Sequence, residues 1–360
     1  MKMFEQAAEA IRAQGDLEKL REMFGIPGKE PVLFGAGECG HKVYEILREA
    51  GVRVSCFCDN RMGGQTDRAT GLAIAAPETL DTNKEALIVL ICVVERSTYT
   101  SIYRQLSDIG FVDGQLYDMA EYFFRLPLTY FEENIEKYRA VYRLLADDFS
   151  RRVYLARMKK IYLMCGIAEI VSPNGEEYFD REVVLTEREV FIDCGGFDGD
   201  TSVAFLKRCN GKYRDIIIFE PEKCKKEAIE NNMGGHRFTL YQSGVWSRQD
   251  RLYFDALDTV ASRVSETDSG YVIPAVALDD MVYDRTPTFI KMDIEGSELE
   301  ALKGSRKIIK DYKPKLAICI YHKPEDLFAI PLLIKEMNPA YRFYVRQYAD
   351  ARQETVLYAI

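Results

Sequence analysis

Three ionisable side chains stand at alternate positions of one apolar stretch: Lys291, Asp293 and Glu295. Because successive side chains of a strand point to opposite faces, these three would share one face, and Ile290 and Met292 would lie on the other. A central parallel strand is normally apolar on both faces. Three charged groups at its carboxyl end therefore indicate a pocket, an internal ion pair made by the lysine, or a metal site.

A glycine-rich turn lies earlier in the chain, in the stretch VFIDCGGFDGDTS at 190–202. An apolar run, three glycines and a hydroxyl pair predict a strand, a tight turn and the start of a helix, an arrangement that lets backbone approach a ligand closely. The acids Asp193, Asp198 and Asp200 disfavour a pyrophosphate there and favour a ligand with cationic groups. S-adenosylmethionine carries two, an ammonium and a sulfonium. The alternative is that Asp198 or Asp200 only caps the helix.

An acid also ends the next predicted strand, where Glu220 follows the apolar run Ile216–Phe219. Ligands of open parallel sheets bind outside the carboxyl ends of the strands, and an acid at this point accepts hydrogen bonds from ribose hydroxyls. We therefore expect Glu220 to bind the ribose of the cofactor. Ser243 and Val245, at the end of the third strand, are expected to lie against the adenine.

Four motifs of the second half resemble those of the FkbM family of class I S-adenosylmethionine-dependent methyltransferases. They are DCGGFDGDT at 193–201, EP at 220–221, FIKMDIEGSE at 289–298 and YHKPEDL at 321–327. The resemblance covers roughly residues 176–360. It implies an O-methyltransferase acting on a hydroxyl of a sugar, polysaccharide or secondary metabolite.

Together, the charged strand, the turn and the resemblance predict one site. Methyl transfer needs in-line alignment and a base that removes a proton, and the candidate bases are Asp293, Glu295 and His322, with Lys291 holding the substrate or orienting a carboxylate. Alternatively, Asp293 and Glu295 hold Mg²⁺. The predicted cofactor-binding residues are Asp193, Gly195, Gly196, Phe197, Asp198, Gly199, Thr201, Glu220, Pro221, Ser243, Val245 and Asp293.

The first half contains a second glycine motif, GAGECG, directly after the predicted strand Pro31–Phe34. Gly35, Gly37 and Gly40 open a predicted helix, and Asp59 follows the next predicted strand. Strand, GxGxxG, helix, strand and acid form the dinucleotide-binding fingerprint. NAD or a nucleotide-sugar is the predicted ligand, and the alternative is a Rossmann-like domain that binds neither.

The predicted fold class is α/β, with two Rossmann-like domains in tandem joined by a helical connector. The domains are an N-terminal Rossmann-like domain at 1–118, the connector at 119–187 and a methyltransferase domain at 188–360, which has a mostly parallel sheet and an antiparallel terminal strand. Within the last domain we expect one helix over Glu298–Ile309, with Ser297 and Glu300 forming a capping box at its start.

Composition limits the functional classes. The chain has 360 residues and a formal net charge of −9, so it is not expected to bind nucleic acid. Its longest apolar run, Ala86–Val94, is too short to span a bilayer. Since the amphipathic N-terminus does not resemble a signal peptide, we expect a cytoplasmic protein. Nine cysteines without a CxxC pair, and three histidines, argue against structural zinc.

The expected partner is a small-molecule or glycan acceptor, and the oligomeric state is left open, a homodimer included. Two rival functions stay open as well. One is an NAD-dependent oxidoreductase or nucleotide-sugar-binding protein that uses the N-terminal domain. The other is a non-catalytic binding scaffold.

Overall fold

The computed structural model describes residues 1–164, 166–172, 176–255, 263–265, 271–349 and 353–360. The chain divides into two compact units. The first comprises Met1–Glu133 and Met158–Gly166, and the second comprises Asn134–Arg157 and Ile167–Ile360.

The first unit is built on a six-stranded sheet. Its order is β3-β4-β2-β1-β5-β6, and every neighbouring pair is parallel except β3 with β4. The strands are β1 (Glu30–Phe34), β2 (Cys56–Cys58), β3 (Gln65–Thr66), β4 (Ala73–Ala75), β5 (Leu87–Ile91) and β6 (Leu116–Asp118). The helices are α1 (Lys2–Ala13), α2 (Gly15–Phe24), α3 (Glu38–Glu49) and α4 (Arg96–Ile109), with 3₁₀ turns at Pro77–Ala86 and Ala120–Phe124.

Strand alternation gives this sheet two apolar layers. Leu33 of β1 and Leu90 of β5 pack in the cluster that includes the buried face of α3. Their neighbours Val32 and Phe34 pack in the cluster on the other face, with Ile102 of α4. Both faces of the central strands are therefore covered, as parallel sheets require.

Two long helices, α5 (Leu128–Leu144) and α6 (Asp148–Leu163), follow β6. Each has residues in both units, because the unit boundaries fall after Glu133 and after Arg157. The predicted connector thus contributes residues to both units.

The second unit contains a seven-stranded sheet and a four-stranded sheet. The larger has the order β16-β17-β15-β14-β7-β8-β9, with β17 antiparallel to both of its neighbours and all other pairs parallel. The smaller has the order β10-β13-β11-β12. The strands are β7 (Val190–Cys194), β8 (Asp215–Phe219), β9 (Thr239–Tyr241), β10 (Gly244–Val245), β11 (Asp250–Asp255), β12 (Arg263–Ser265), β13 (Tyr271–Val276), β14 (Phe289–Met292), β15 (Lys315–Cys319), β16 (Phe343–Gln347) and β17 (Thr355–Ala359).

Helices lie in the connections between strands of the larger sheet, as parallel pairs require. They are α7 (Asp200–Arg208), α8 (Lys226–Asn232), α9 (Leu278–Met281), α10 (Glu298–Lys303), α11 (Arg306–Tyr312) and α12 (Asp326–Met337), with 3₁₀ turns at Ala168–Ile170, Lys223–Lys225 and Tyr283–Arg285. The predicted α/β class, the mostly parallel sheet and the antiparallel terminal strand are confirmed. In the described part of the chain, no helix is long and apolar enough to cross a membrane.

The single helix predicted after β14 is wrong, because α10 and α11 are separate helices divided at Gly304. A Cβ at Gly304 would lie only 2.1 Å from the carbonyl oxygen of Trp246, so close packing shapes this break. The predicted capping box is also wrong. Ser297 makes no side-chain cap, and the carboxylate of Glu298, rather than that of Glu300, accepts a nearby backbone N–H, from Ile294 at 2.8 Å.

Candidate functional site

The glycine turn after β7 packs directly against the end of β14. Gly195 has φ +82°, and a Cβ there would lie 1.9 Å from the carbonyl oxygen of Asp293. A Cβ on Gly196 would lie 2.3 Å from Cγ2 of Ile218. Since only glycine fits such contacts, the chain can make this turn only with these residues.

The turn ends in a strained aromatic residue. Phe197 has φ +45°, which is costly for a residue with a side chain, and its ring is 42% exposed. The ammonium of Lys225 lies 3.8 Å from the ring centroid. This exposed ring at the mouth of the turn is where the sequence predicted cofactor contact.

Glu220, the predicted ribose acceptor, is tied to the turn. One carboxylate oxygen accepts the N–H of Phe197 at 2.9 Å and the other accepts that of Glu222 at 2.8 Å. Burial raises the pKa of Glu220 to about 7. Each oxygen keeps a second lone pair, so the group can still accept a hydroxyl donor.

Lys291 and Asp193 form a buried ion pair. Their charged atoms are 3.2 Å apart, and Lys291 also donates to the carbonyl oxygen of Gly195 at 2.6 Å. Burial opposes the charge of Lys291, but the carboxylates of Asp193 and Asp293 outweigh it and raise the lysine pKa. Ser202 donates to the second oxygen of Asp193 at 2.7 Å. The internal pairing left open by the sequence is therefore present, and Lys291 anchors the turn.

The other two acids of the turn make local bonds. Asp198 accepts the N–H of Asp200 at 3.1 Å, and Asp200 accepts the N–H of Thr201 at 2.6 Å. The N-cap of α7 is Gly199, without a side-chain cap, so these local bonds are not the predicted helix cap. Cofactor contact by Asp198, Gly199 and Thr201 stays a prediction.

The predicted catalytic acids and histidine converge. Asp293 accepts hydrogen bonds from the hydroxyls of Tyr178 at 2.8 Å and Tyr321 at 3.2 Å. Nε2 of His322 lies 3.4 Å from a carboxylate oxygen of Asp293 and 3.4 Å from one of Glu295. Burial raises the pKa of Glu295 to about 7. This edge of the sheet thus combines carboxylates, an imidazole and phenol hydroxyls.

Glu298 is a member of this cluster that the sequence assigned only to a helix start. It is fully buried, and one of its oxygens lies 3.0 Å from Nδ1 of His322. Burial alone would lower the histidine pKa, but Glu298, Asp293 and Glu295 together raise it to about 9. The signal available in the sequence was a third acid in the same motif, after Asp293 and Glu295.

Tyr178 is a site residue that the sequence did not indicate, because nothing in the sequence links it to Asp293. Beside it, Glu177 has a buried carboxylate oxygen without a hydrogen-bond partner. Burial raises the pKa of Glu177 to about 7. This segment therefore adds a phenol, and an acid next to it in the chain, to the residues around Asp293.

The predicted adenine-side residues lie at the end of β9 and in β10. Ser243 is buried, and its hydroxyl has no hydrogen-bond partner. Val245 is buried in β10, and Pro221 directly follows Glu220. A buried, unpaired hydroxyl beside apolar residues is suited to a polar edge of a flat ring.

The groups that can coordinate a metal differ from the predicted pair. Among the described residues, Asp293, Glu298 and His322 each place one ligand atom within 4.8 Å of the others. The sequence expected Asp293 with Glu295. The structure thus adds an imidazole and a buried carboxylate to the possible ligand set.

The first unit has a turn of the same type. Gly35 has φ +112°, and a Cβ on Gly40 would lie 1.9 Å from the carbonyl oxygen of Gly35. Gly37 is the N-cap of α3. Asp59 accepts the N–H groups of Ala36 at 3.2 Å, Arg61 at 2.8 Å and Met62 at 3.2 Å. Nucleotide binding at this turn stays a prediction.

The strand order of the larger sheet, its glycine turn after β7 and the acid after β8 define a class I methyltransferase fold. Residues 193–348 match the family model described as the methyltransferase FkbM domain. This part of the chain thus matches a methyltransferase domain of the FkbM type, and methyltransferases of this kind imply S-adenosylmethionine as methyl donor.

Solved structures extend the likeness in fold. The chain is similar to a methyltransferase FkbM from Methylobacillus flagellatus KT, with 24% identity, a TM-score of 0.63 and coverage of 98% of this chain and 99% of that one. A precorrin-6y C5,15-methyltransferase from Geobacter metallireducens GS-15 is 12% identical over 50% of this chain and 83% of its own, with a TM-score of 0.32. An rRNA methylase from Streptococcus thermophilus is 14% identical over 49% and 88%, with a TM-score of 0.29. The TM-scores of the last two structures are too low to support an inference. No curated protein matches the chain.

Proposed function

We propose that this protein transfers a methyl group from S-adenosylmethionine to a hydroxyl of a small molecule or glycan. One observation carries the proposal. A glycine turn follows β7, an acid of the ribose-binding type follows β8, and a cluster of acids around a histidine begins after β14. All three lie at the same edge of the sheet. This is the edge at which parallel sheets bind ligands.

The cofactor would occupy the turn side of this edge. The ribose hydroxyls would donate to Glu220, and the adenine would lie against Ser243 and Val245. Lys291 would act as a positioning residue, since it is buried and joins the turn to the end of β14.

The acceptor would occupy the side of Asp293, Glu295 and His322. The C–S bond of the sulfonium breaks while a C–O bond forms to the acceptor oxygen. S-adenosylhomocysteine leaves as a neutral thioether, and the hydroxyl proton passes to a basic group of the crevice. The protein's contribution is alignment of the three reacting atoms and acceptance of that proton.

The net charge of −9 supports an uncharged or cationic acceptor rather than a nucleic acid. The match of residues 193–348 to the FkbM domain supports methyl transfer, while the choice of oxygen as the accepting atom rests on the resemblance of the four motifs. If the acceptor proved to be an amine, the reaction would be methylation of nitrogen instead of oxygen.

Calorimetric titration of the full chain with S-adenosylhomocysteine tests the cofactor site. We expect saturable binding by the wild type and a loss of about 10-fold or more in affinity for Glu220→Gln, because an amide accepts fewer hydroxyl donors than a carboxylate. Glu222→Gln is the matched control, two positions further along, and should bind like the wild type. Absence of binding by the wild type would overturn the proposal.

A further inference from the structure

We propose that Asp293, Glu298 and His322 form a binding site for one first-row divalent cation of the Mn²⁺ type. Each residue places one ligand atom within 4.8 Å of the other two. The cation site does not depend on methyl transfer, and only its use in catalysis rests on the proposed function.

Unpaired polar atoms at this point are the independent observation. The side chain of His322 is 9% exposed, and neither of its ring nitrogens makes a hydrogen bond of acceptable geometry. The second carboxylate oxygen of Glu298 is also buried without a hydrogen-bond partner. Buried polar atoms are nearly always paired in folded proteins. A cation bound between these groups would pair with one ring nitrogen of His322 and with a carboxylate oxygen of Glu298.

The charge balance favours a cation in the same place. Asp293 and Glu295 lie 3.4 Å from Nε2 of His322, and Glu298 lies 3.0 Å from Nδ1. Lys291 is held by the carboxylate of Asp193 and the carbonyl of Gly195. The charge of Lys291 also acts on Asp293 and Glu295. Together with Asp193, four acids therefore face two cationic groups among the contacts described, and excess negative charge is left at the cluster.

The donor set selects the kind of cation. Mg²⁺ prefers oxygen ligands and retains water, whereas an imidazole nitrogen together with carboxylates suits first-row transition ions. The structure thus shifts the ligand set away from the oxygen-only pair that the sequence associated with Mg²⁺.

Hydrogen bonds from other residues also orient the carboxylates of Asp293 and Glu298, as outer contacts orient the ligands in metal sites. Tyr178 and Tyr321 donate to Asp293, and the N–H of Ile294 donates to Glu298. Under the proposed function, a cation at this position would bind the acceptor oxygen and ease loss of its proton.

Titration of the EDTA-treated full chain with MnCl₂, followed by electron paramagnetic resonance, tests the site. We expect one bound Mn²⁺ per chain, with nitrogen modulation in the spin-echo spectrum from His322. Glu298→Gln should weaken Mn²⁺ binding by at least about 10-fold, since changes around metal ligands commonly cost that much. Glu220→Gln is the matched control, a buried carboxylate after β8 of the same sheet, and should keep Mn²⁺ while losing S-adenosylhomocysteine.

Two results would overturn the metal site. They are absence of saturable binding by the wild type up to about 1 mM Mn²⁺, and binding without nitrogen modulation. Circular dichroism checks that each variant is folded, and His322→Asn replaces Glu298→Gln if the latter is not. Mn²⁺ binding without S-adenosylhomocysteine binding would overturn the cofactor proposal and leave the cation site standing.

Discussion

The two glycine turns of this chain make the same kind of close backbone contact but have different neighbouring side chains. Gly35 follows β1 and would, with a Cβ, lie 2.9 Å from the carbonyl oxygen of Cys92. Gly195 follows β7 and packs in the same way on the carbonyl oxygen of Asp293. In each unit, a carboxylate at the end of the next strand also accepts a backbone N–H of the turn.

Strand register makes the comparison specific. The residue two positions before Gly35 is Leu33, which pairs with Leu90. The residue at the same place before Gly195 is Asp193, which pairs with Lys291. An apolar pair in one unit thus corresponds to a buried ion pair in the other. The glycines shape a turn in both units, whereas the strand beside the turn determines which chemistry is available.

The largest expected effect comes from breaking the buried pair. Lys291→Leu should destabilise the protein by about 3–5 kcal/mol, because Asp193 is left buried without its cation. The double variant Asp193→Leu with Lys291→Leu, which copies the pair of the first unit, should recover most of that loss. Urea denaturation measures both. A double variant as unstable as the single one would contradict the comparison.

The next effect concerns the turn backbone. Gly195→Ala should cost about 3 kcal/mol, from a clash with the carbonyl of Asp293 together with an unfavourable positive φ. Gly211→Ala is the control, since Gly211 has φ +69° but open space around its Cβ position, and it should cost only about 1 kcal/mol. Equal losses in urea denaturation would mean that the close contact does not matter.

A smaller effect is expected from pH at Glu220, whose pKa burial raises to about 7. Ribose hydroxyls need the ionised carboxylate, so affinity for S-adenosylhomocysteine should rise about 10-fold between about pH 6 and pH 8. Glu222 and Lys291 are the charged groups that act on Glu220. Calorimetry of Glu220→Gln should show a flatter profile, and an unchanged slope would assign the pH dependence to another group.

The raised pKa of Glu220 also determines how the stability of the fold changes with pH. Because the pKa of Glu220 is higher in the folded than in the unfolded chain, the folded state retains a proton that the unfolded state releases. This contribution to stability is complete below the unfolded value of 4.5 and is lost as the pH rises towards about 7.

The smallest effect is expected at Asp59. Asp59→Asn should lower stability by about 1 kcal/mol, because one acceptor of the turn N–H groups is replaced by a donor. Binding of S-adenosylhomocysteine should not change, and a change would show that the two turns are energetically coupled. An NADH titration of the wild type and of Asp59→Asn tests whether the first unit binds a nucleotide. Weaker binding by Asp59→Asn than by the wild type would support nucleotide binding there.

The sequence was sufficient for features with a local signal. The alternation of Lys291, Asp293 and Glu295 indicated one site, but the predicted shared strand face is wrong, because β14 ends at Met292 and Glu295 has φ +54° in the turn that follows. The acid at Glu220 marked the end of the second strand. These patterns follow from strand geometry and from the fixed edge at which parallel sheets bind ligands.

Features that depend on tertiary contacts could not be read in this way. Tyr178 donates to Asp293 from a distant segment, and Glu298 looked like part of a helix start until its carboxylate proved to face His322. The partner of Lys291 was also open, because strand register decides it and register is not written in either strand alone.

The contact between Gly195 and the carbonyl of Asp293 bears on how such proteins diverge. The glycine is required by the backbone of the neighbouring strand, whether or not a ligand is bound, and the same holds for Gly35 beside Cys92. A descendant that lost its activity would therefore keep its glycines, while its charged residues would be replaced by others. In this fold, a pseudoenzyme would be recognised at the positions of Lys291 and Asp293, and its glycine fingerprint would look intact.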